Sequence, residues 1–331
     1  MVFNRRMIAI ALAYALEQTA APRGRTLWLY GEPLPDYAPA DVYHPRKNFA
    51  EALQKKGHRV VSDVAEIGRD YDAVFVTCPQ QHEEVEGLLA LALDRSRGFV
   101  MAVAPNDAGG TRLRGMLEAF GVPVESVGKS HCRVAWTGAA PEADRQKVEA
   151  AQLHLALRPL VLGGREWWTV PGIFGWDQLD PGSRLLMDHL PDDISGRVAD
   201  FGCGFGYLSA RLARDHQGIR QIDAFDIDQR AVTCCARNNG EKVNAVWDDL
   251  RSRKVEAIYN TVVMNPPFHS GKGTDLGLGQ LFIQKAWESL RPRGRLFLVA
   301  NQHLAYEKVV PGLTLVKLGG AYKILTTRAE G

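Results

Sequence analysis

The four residues Asn265-Pro266-Pro267-Phe268 follow an apolar run, Asn260 to Met264, and end it in a corner that no β-ladder can continue. Two consecutive prolines remove two backbone donors and fix two φ angles. The residue before a proline is held in an extended conformation. What remains is rigid and poor in donors, with the side-chain oxygen of Asn265 and the carbonyl of Pro266 as acceptors. Such a corner suits one task, holding an exocyclic amine on an aromatic ring by its two N–H bonds. A ring amine is a weak nucleophile because its lone pair is delocalised into the ring. Two fixed acceptors draw the nitrogen towards tetrahedral geometry and aim the lone pair at an electrophile, with no strong base required. Phe268 offers a face on which an extruded base can stack. The following stretch HSGKGTDLG, with His269 and Lys272, reads as a substrate loop.

A second group of residues speaks to the electrophile. VADFGCGFGYLSARLA places Asp200, Gly202, Gly204 and Gly206 at the junction of a strand and a helix. Glycines there allow a tight turn and close approach of backbone to a ligand. A dinucleotide fingerprint needs a further glycine where Tyr207 stands, so the spacing fits a loop around the amino-acid end of a smaller cofactor. The next strand ends at Asp226 and Ile227, where a carboxylate can accept both hydroxyls of a ribose. Asp228 opens D-Q-R-A-V and reads as a helix cap. The third strand ends VWDDL, so that Trp247 can cover an adenine and Asp248 or Asp249 can accept from its amine. A glycine loop followed by carboxylates on successive strand ends points to S-adenosyl-L-methionine. The nine histidines show no metal-ligand spacing and the five cysteines form no C-x-x-C pair, so reduced thiols and no metal are expected.

These residues require strands that end side by side. In the second half, apolar runs at Arg197–Phe201, Ile222–Ile227, Ala245–Trp247, Thr261–Met264 and Arg295–Ala300 alternate with helical patterns at Tyr207–Asp215, Gln229–Asn238 and Leu278–Leu290. That alternation predicts a parallel sheet covered on both faces. The first half echoes it: YDAVFVTCPQ parallels YNTVVMNPPF, GFVMAVAPND parallels GRLFLVANQH, and VESVGKSHCRVAW parallels LVKLGGAYKILTT. The chain therefore reads as tandem Rossmann-like α/β domains. The first copy is degenerate, since Gly31 stands where the second copy has three glycines and TCPQ stands where it has NPPF. The expected boundaries are a first domain over 1–139, a linker or connecting helix over 140–152 and a catalytic domain over 153–331. The 331 residues, 46% hydrophobic and 24% charged, suffice for two globular cores. A net charge of +2 is compatible with an RNA partner without requiring one. NRRMIAIALAYALEQTAA has some features of a secretory signal but reads as an amphipathic first helix, and a cytoplasmic protein is expected.

On PGIFGWDQLDPGSRLL (171–186), DFGCGFGYLS, NPPFHSGKGTD and LVANQHLAY, the chain resembles the bacterial ribosomal RNA guanine-N2 methyltransferases, in their small-subunit and large-subunit types. The resemblance is strong after Pro171 and holds in outline before it. It implies a seven-stranded class I methyltransferase sheet, a degenerate amino-terminal copy, methyl transfer to a guanine N2 amine in 16S or 23S RNA, and a monomer acting on ribosomal RNA or a ribosomal subunit. It also implies that Phe174, Asp180, Gly182 and Ser183 help to wall the cofactor pocket. The first half would bind RNA or brace the second, with Arg5, Arg6, Arg46, Lys47, Lys55, Lys56 and Arg112 as its candidate contacts. Adenine N6, a protein glutamine, or a non-catalytic role in ribosome assembly remain as alternatives at this stage.

Overall fold

The computed structural model describes residues 5–138, 142–267, 269–270, 273–274 and 276–328, with 269, 270, 273, 274 and 328 described by their backbone alone. Phe268 and Lys272 lie outside the described residues. The chain divides into two compact units, one of residues 2–157 with 170–172, the other of 158–169 with 173 onward.

The first unit runs α1 (Arg5–Leu16), β1 (Thr26–Leu29), β2 (Asp41–Tyr43), α2 (Lys47–Lys55), β3 (Arg59–Val61), β4 (Tyr71–Thr77), α3 (His82–Arg95), β5 (Ser96–Pro105), α4 (Leu113–Glu118), β6 (Val124–Lys129), β7 (Cys132–Thr137) and α5 (Arg145–Gln152). Its sheet has the order β3-β2-β1-β4-β5-β7-β6, parallel except where β7 pairs with β5 and β6. Two apolar layers cover the sheet, as expected for strands apolar on both faces. Leu88 and Leu89 of α3 pack with Val74 and Val76 on one side. On the other, Ala11, Leu12 and Ala15 of α1 pack with Trp28, Phe75 and Met101. The apolar residues of α1 that invited comparison with a signal are thus one face of a core helix. Among the described residues no helix is long and apolar enough to cross a membrane.

The second unit opens with a hairpin, β8 (Arg158–Leu162) and β9 (Arg165–Thr169), joined through Gly163 and Gly164 at φ 59° and 79°. Two central residues at positive φ make the hairpin turn that twists with its strands. Then come α6 (Pro181–Met187), β10 (Gly196–Phe201), α7 (Tyr207–Asp215), β11 (Ile219–Asp226), α8 (Gln229–Asn238), β12 (Val243–Trp247), β13 (Tyr259–Met264), a short hairpin of β14 (His269–Ser270) and β15 (Gly273–Thr274), α9 (Leu276–Glu288), β16 (Leu290–Asn301), β17 (Thr314–Gly319) and β18 (Tyr322–Arg328). The sheet order β12-β11-β10-β13-β16-β18-β17 repeats that of the first unit strand for strand.

Two features differ from the sequence reading. The segment expected as a linker or connecting helix, 140–152, carries α5, capped where Asp144 accepts from the Gln146 and Lys147 amides. Its Val148 and Ala151 are buried, so the helix is part of the first unit, which continues to Leu157. Strand β11 ends at Asp226, which leaves Ile227 beyond it.

Trp28 is fully buried and stacked on Phe75 at 4.2 Å between ring centroids. Trp28→Ala should remove about 3–5 kcal/mol of stability, read as a lower midpoint in urea titration. An unchanged midpoint would show that this layer does not hold the first unit together.

Candidate functional site

In the second unit Phe201 stands in register with Phe225 on one side and Met264 on the other, and Asp226 with Trp247. Parallel register therefore delivers the glycine loop, Asp226, Trp247 and Asn265 to one edge of the sheet, where open α/β sheets hold their ligands.

The loop is shaped by backbone that only glycine adopts readily. Gly202, Gly204 and Gly206 have φ of 84°, 53° and 92°. At Gly206, which starts α7, a Cβ would also lie 2.5 Å from Asn239 Nδ2 and 2.8 Å from Cys235 Sγ. The amides of Gly202 and Cys203 both donate to the Phe225 carbonyl at 2.9 Å. Asp226 holds the far end: its Oδ2 accepts from the Gly204 amide and its Oδ1 from the Asp228 amide, both at 2.9 Å. A carboxylate has about four lone-pair sites, and these two bonds use one on each oxygen. Asp228 caps α8 through the Arg230 amide, as its position predicts. The Cys203 thiol, hydrogen-bonded to Cys235 and buried, is pushed well above its usual pKa and stays protonated.

Asp200, expected as a cofactor contact, is placed elsewhere. Its side chain is wholly buried, and Oδ2 accepts from the Ser209 hydroxyl at 2.7 Å, tying the end of β10 to α7. A carboxyl with no exposed surface supports the loop from beneath. Burial pushes its pKa up to about 7; the Ser209 bonds oppose that rise and the charge of Asp226 adds to it.

On the acceptor side, Asn265 Nδ2 donates to Asp180 Oδ2 at 2.8 Å and to Ser183 Oγ at 3.0 Å. The same Asp180 oxygen caps α6 by accepting from the Ser183 amide at 2.6 Å. Both amide hydrogens of Asn265 are therefore spent, and this assigns the amide orientation. Oδ1 is left as an acceptor beside the carbonyl of Pro266. The start of α6 fits closely against β18, since a Cβ on Gly182 would lie 2.9 Å from the ring of Tyr322. Asp180 and Ser183 thus orient Asn265, a role that the sequence alone did not suggest for them.

The remaining residues fall around this edge. Phe174 is 59% exposed, and its carbonyl oxygen lies 3.6 Å from where a Cβ on Gly204 would be. The Phe174 backbone therefore passes beside the glycine loop, with its ring exposed. The indole of Trp247 donates to the Ile227 carbonyl at 2.8 Å, which sets the ring at the sheet edge. Asp249 caps the following turn through the Arg251 amide and grips the Arg251 guanidinium at 2.7 Å. Asp248, whose amide donates to the Asp226 carbonyl at 2.9 Å, is paired with Arg253. Of His269 the backbone alone is described, in β14. Sequence reasoning missed Ser209, which no spacing motif connects to Asp200.

The Asp200 carboxyl binds its proton more tightly folded than unfolded. The stability this contributes is present below about pH 4 and is lost as pH rises through about 7. Stability should therefore fall with pH across that window, and Asp200→Asn should flatten the fall in urea titrations at several pH values. An unaltered slope would show that the buried carboxyl does not titrate there.

The model of the family described as Methyltransferase small domain matches residues 165–327. The T. thermophilus 16S rRNA N2 methyltransferase RsmC, solved with AdoMet and guanosine, shares the fold with a TM-score of 0.77 at 22% identity, over 95% of this chain and 91% of that one. A protein of Shewanella amazonensis called ribosomal RNA small subunit methyltransferase C is 28% identical over 78% of this chain and 77% of its own. The protein of that name from Pseudomonas paraeruginosa is 33% identical over 272 residues, 78% of this chain and 79% of the relative. A third of the residues shared along more than three-quarters of both chains, with the duplicated sheet, places this chain in the family of ribosomal RNA small subunit methyltransferase C.

Proposed function

We propose that the protein transfers a methyl group from S-adenosyl-L-methionine to the exocyclic N2 amine of a guanine in the 16S RNA of the small ribosomal subunit, in the cytoplasm where that RNA is assembled. The observation that carries this reading is the fixed amide of Asn265. With both Nδ2 hydrogens held by Asp180 and Ser183, Oδ1 can only accept, and an amine with two hydrogens to donate is its complement.

The residues present fit the cofactor. Glycine backbone at positive φ leaves room that a Cβ would take, and Asp226 is anchored at the strand end. Asp226 would hold the ribose, Trp247 and Asp248 the adenine, and the glycine loop with Phe174 the amino-acid end. When bound, the cofactor supplies a methyl group on a positively charged sulfur. The protein's part is positional. Asn265 Oδ1 and the Pro266 carbonyl accept the two N–H bonds of the guanine amine and turn its lone pair out of conjugation. The prolines keep competing donors away. The proton leaves after transfer, when the nitrogen carries a full positive charge. Phe268, His269 and Lys272 are proposed to meet the flipped base and its flanking phosphate, extrusion from a structured RNA loop costing about a few kcal/mol.

The test is to incubate the protein with labelled S-adenosyl-L-methionine and small subunits, large subunits or naked ribosomal RNA from cells lacking the gene, then identify digested nucleosides by mass. Label in N2-methylguanosine of the small-subunit RNA is expected, and label elsewhere would redirect the assignment. Asn265→Ala should abolish transfer while cofactor affinity stays within about tenfold, or about 1.4 kcal/mol. Asp226→Ala should do the reverse in calorimetry, weakening cofactor binding by about 1–3 kcal/mol. Full activity of the first variant, or unchanged titration of the second, would remove the role assigned to that residue.

A further inference from the structure

The hairpin of β8 and β9 forms a sheet of its own, yet one side chain ties it to the glycine loop. In the hairpin Trp168 stands opposite Pro159. A proline has no amide hydrogen to give, so this is a pair whose backbone groups point outward, away from β8. Asn238, the last residue of α8, receives those of Trp168. Its Oδ1 accepts from the Trp168 amide at 2.7 Å, and its Nδ2 donates to the Trp168 carbonyl at 2.8 Å. The second Nδ2 hydrogen goes to the Phe205 carbonyl, also at 2.8 Å. One amide side chain thus stands in for a strand on the free edge of β9 and carries that edge to the loop.

The Phe205 carbonyl lies just ahead of the helix ladder, which starts where the Ala210 amide bonds the Gly206 carbonyl at 2.9 Å. On the other side of the same peptide, the Gly206 amide donates to the Cys203 carbonyl at 2.9 Å. The Phe205–Gly206 peptide is therefore held at both ends, at one by the loop itself and at the other by Asn238. Further contacts fix the surroundings. The buried Phe205 ring lies edge-on to Trp167, 5.3 Å between centroids, and Arg165 Nη2 donates to the Asn238 carbonyl at 3.0 Å. In the first unit α1, not a hairpin, precedes β1, and the helix after β2 runs into Lys55 and Lys56, of which Lys56 pairs with Glu32. The amide accompanies the glycine loop.

We propose that Asn238 is a positioning residue for the cofactor: by holding the Phe205–Gly206 peptide it keeps the glycine loop in its binding shape before the cofactor arrives. The proposal rests on the reading above that this loop holds S-adenosyl-L-methionine. Glycines let the loop turn tightly and, for the same reason, let it disorder easily. Binding to a loosened loop has to order it first, and affinity falls by that amount. Once the cofactor is bound the loop is ordered again, so the transfer step keeps its rate.

The test compares Asn238→Ala and Asn238→Asp with the wild type in the full chain, by calorimetric titration with S-adenosyl-L-methionine and by methyl transfer at varied cofactor. Asn238→Asp keeps the shape and the acceptor for Trp168 but sets a carboxylate against two carbonyls. Each variant should bind the cofactor about tenfold more weakly, the worth of one or two hydrogen bonds. The cofactor KM should rise by the same factor, with kcat at saturating cofactor within about twofold of wild type. Ile283→Val, a truncation at a fully buried core position, should lower the urea midpoint and leave the cofactor KM unchanged, which separates positioning from general loss of stability. Hydrogen exchange of the cofactor-free wild type needs no variant: the Gly206 amide should be protected. The proposal is overturned if that amide exchanges freely without cofactor. It is equally overturned if both Asn238 variants keep wild-type affinity, or lose kcat with the cofactor KM unmoved. A wild type that binds no cofactor would refute the reading of the loop itself, whereas unaltered variants beside a binding wild type refute only the role of Asn238.

Discussion

The chemistry proposed for the second unit depends on which way one amide points. An asparagine side chain offers two donors and one acceptor, and an acceptor of amine hydrogens works only if the oxygen faces the substrate. Asp180 and Ser183 decide this by taking both hydrogens of Asn265 Nδ2. The decision is firm because the same Asp180 oxygen also caps α6. Turning the amide over would bring Oδ1 against a carboxylate, an acceptor against an acceptor, and leave the half-buried Asp180 short of a donor. That penalty exceeds the worth of an ordinary hydrogen bond, so the orientation is set before any substrate arrives. Preorganisation of this kind is what lets a site act on a weak nucleophile with no strong base.

The cofactor side follows the same logic with different materials. Asp226 is held by two backbone amides and so cannot swing away from the strand end. The bond to Gly204 makes the loop and the proposed ribose contact a single object: a displacement of one displaces the other. Asp200 sits below this object with its carboxyl out of solvent. Burial raises its pKa, so Asp200 takes up a proton more readily than an exposed carboxyl does, which limits its repulsion with Asp226.

Much of this was legible in the sequence because it is local. Strand ends, glycine spacing and proline corners are properties of consecutive residues, and the helices expected at Tyr207–Asp215 and Gln229–Asn238 appear with those bounds. The duplicated strand order was legible for a related reason, since apolar runs of similar length recur in similar order. What could not be read depends on distant side chains. Asn265 meets Asp180 across 85 positions, and no spacing encodes that meeting. The withdrawal of Asp200 from the ligand side depends on Ser209 and on the closeness of packing around both. Segment 140–152 is small, polar and charged, and only burial of Val148 and Ala151 against the first unit shows it to be a core-facing helix.

The two units together show that a fold can be kept while its chemistry is removed, and they show where the removal must occur. Sheet order, register and even the left-handed backbone after the first strand persist in the first unit. The core layers specify these, and they tolerate no change that opens a cavity. The strand ends lie beyond these layers and carry the changes. Tyr30, whose amide donates to the Tyr43 carbonyl as that of Gly202 does to the Phe225 carbonyl, bears the strain of a positive φ, on the order of 1–3 kcal/mol. It recovers stability from ring contacts and from its bond to Glu84.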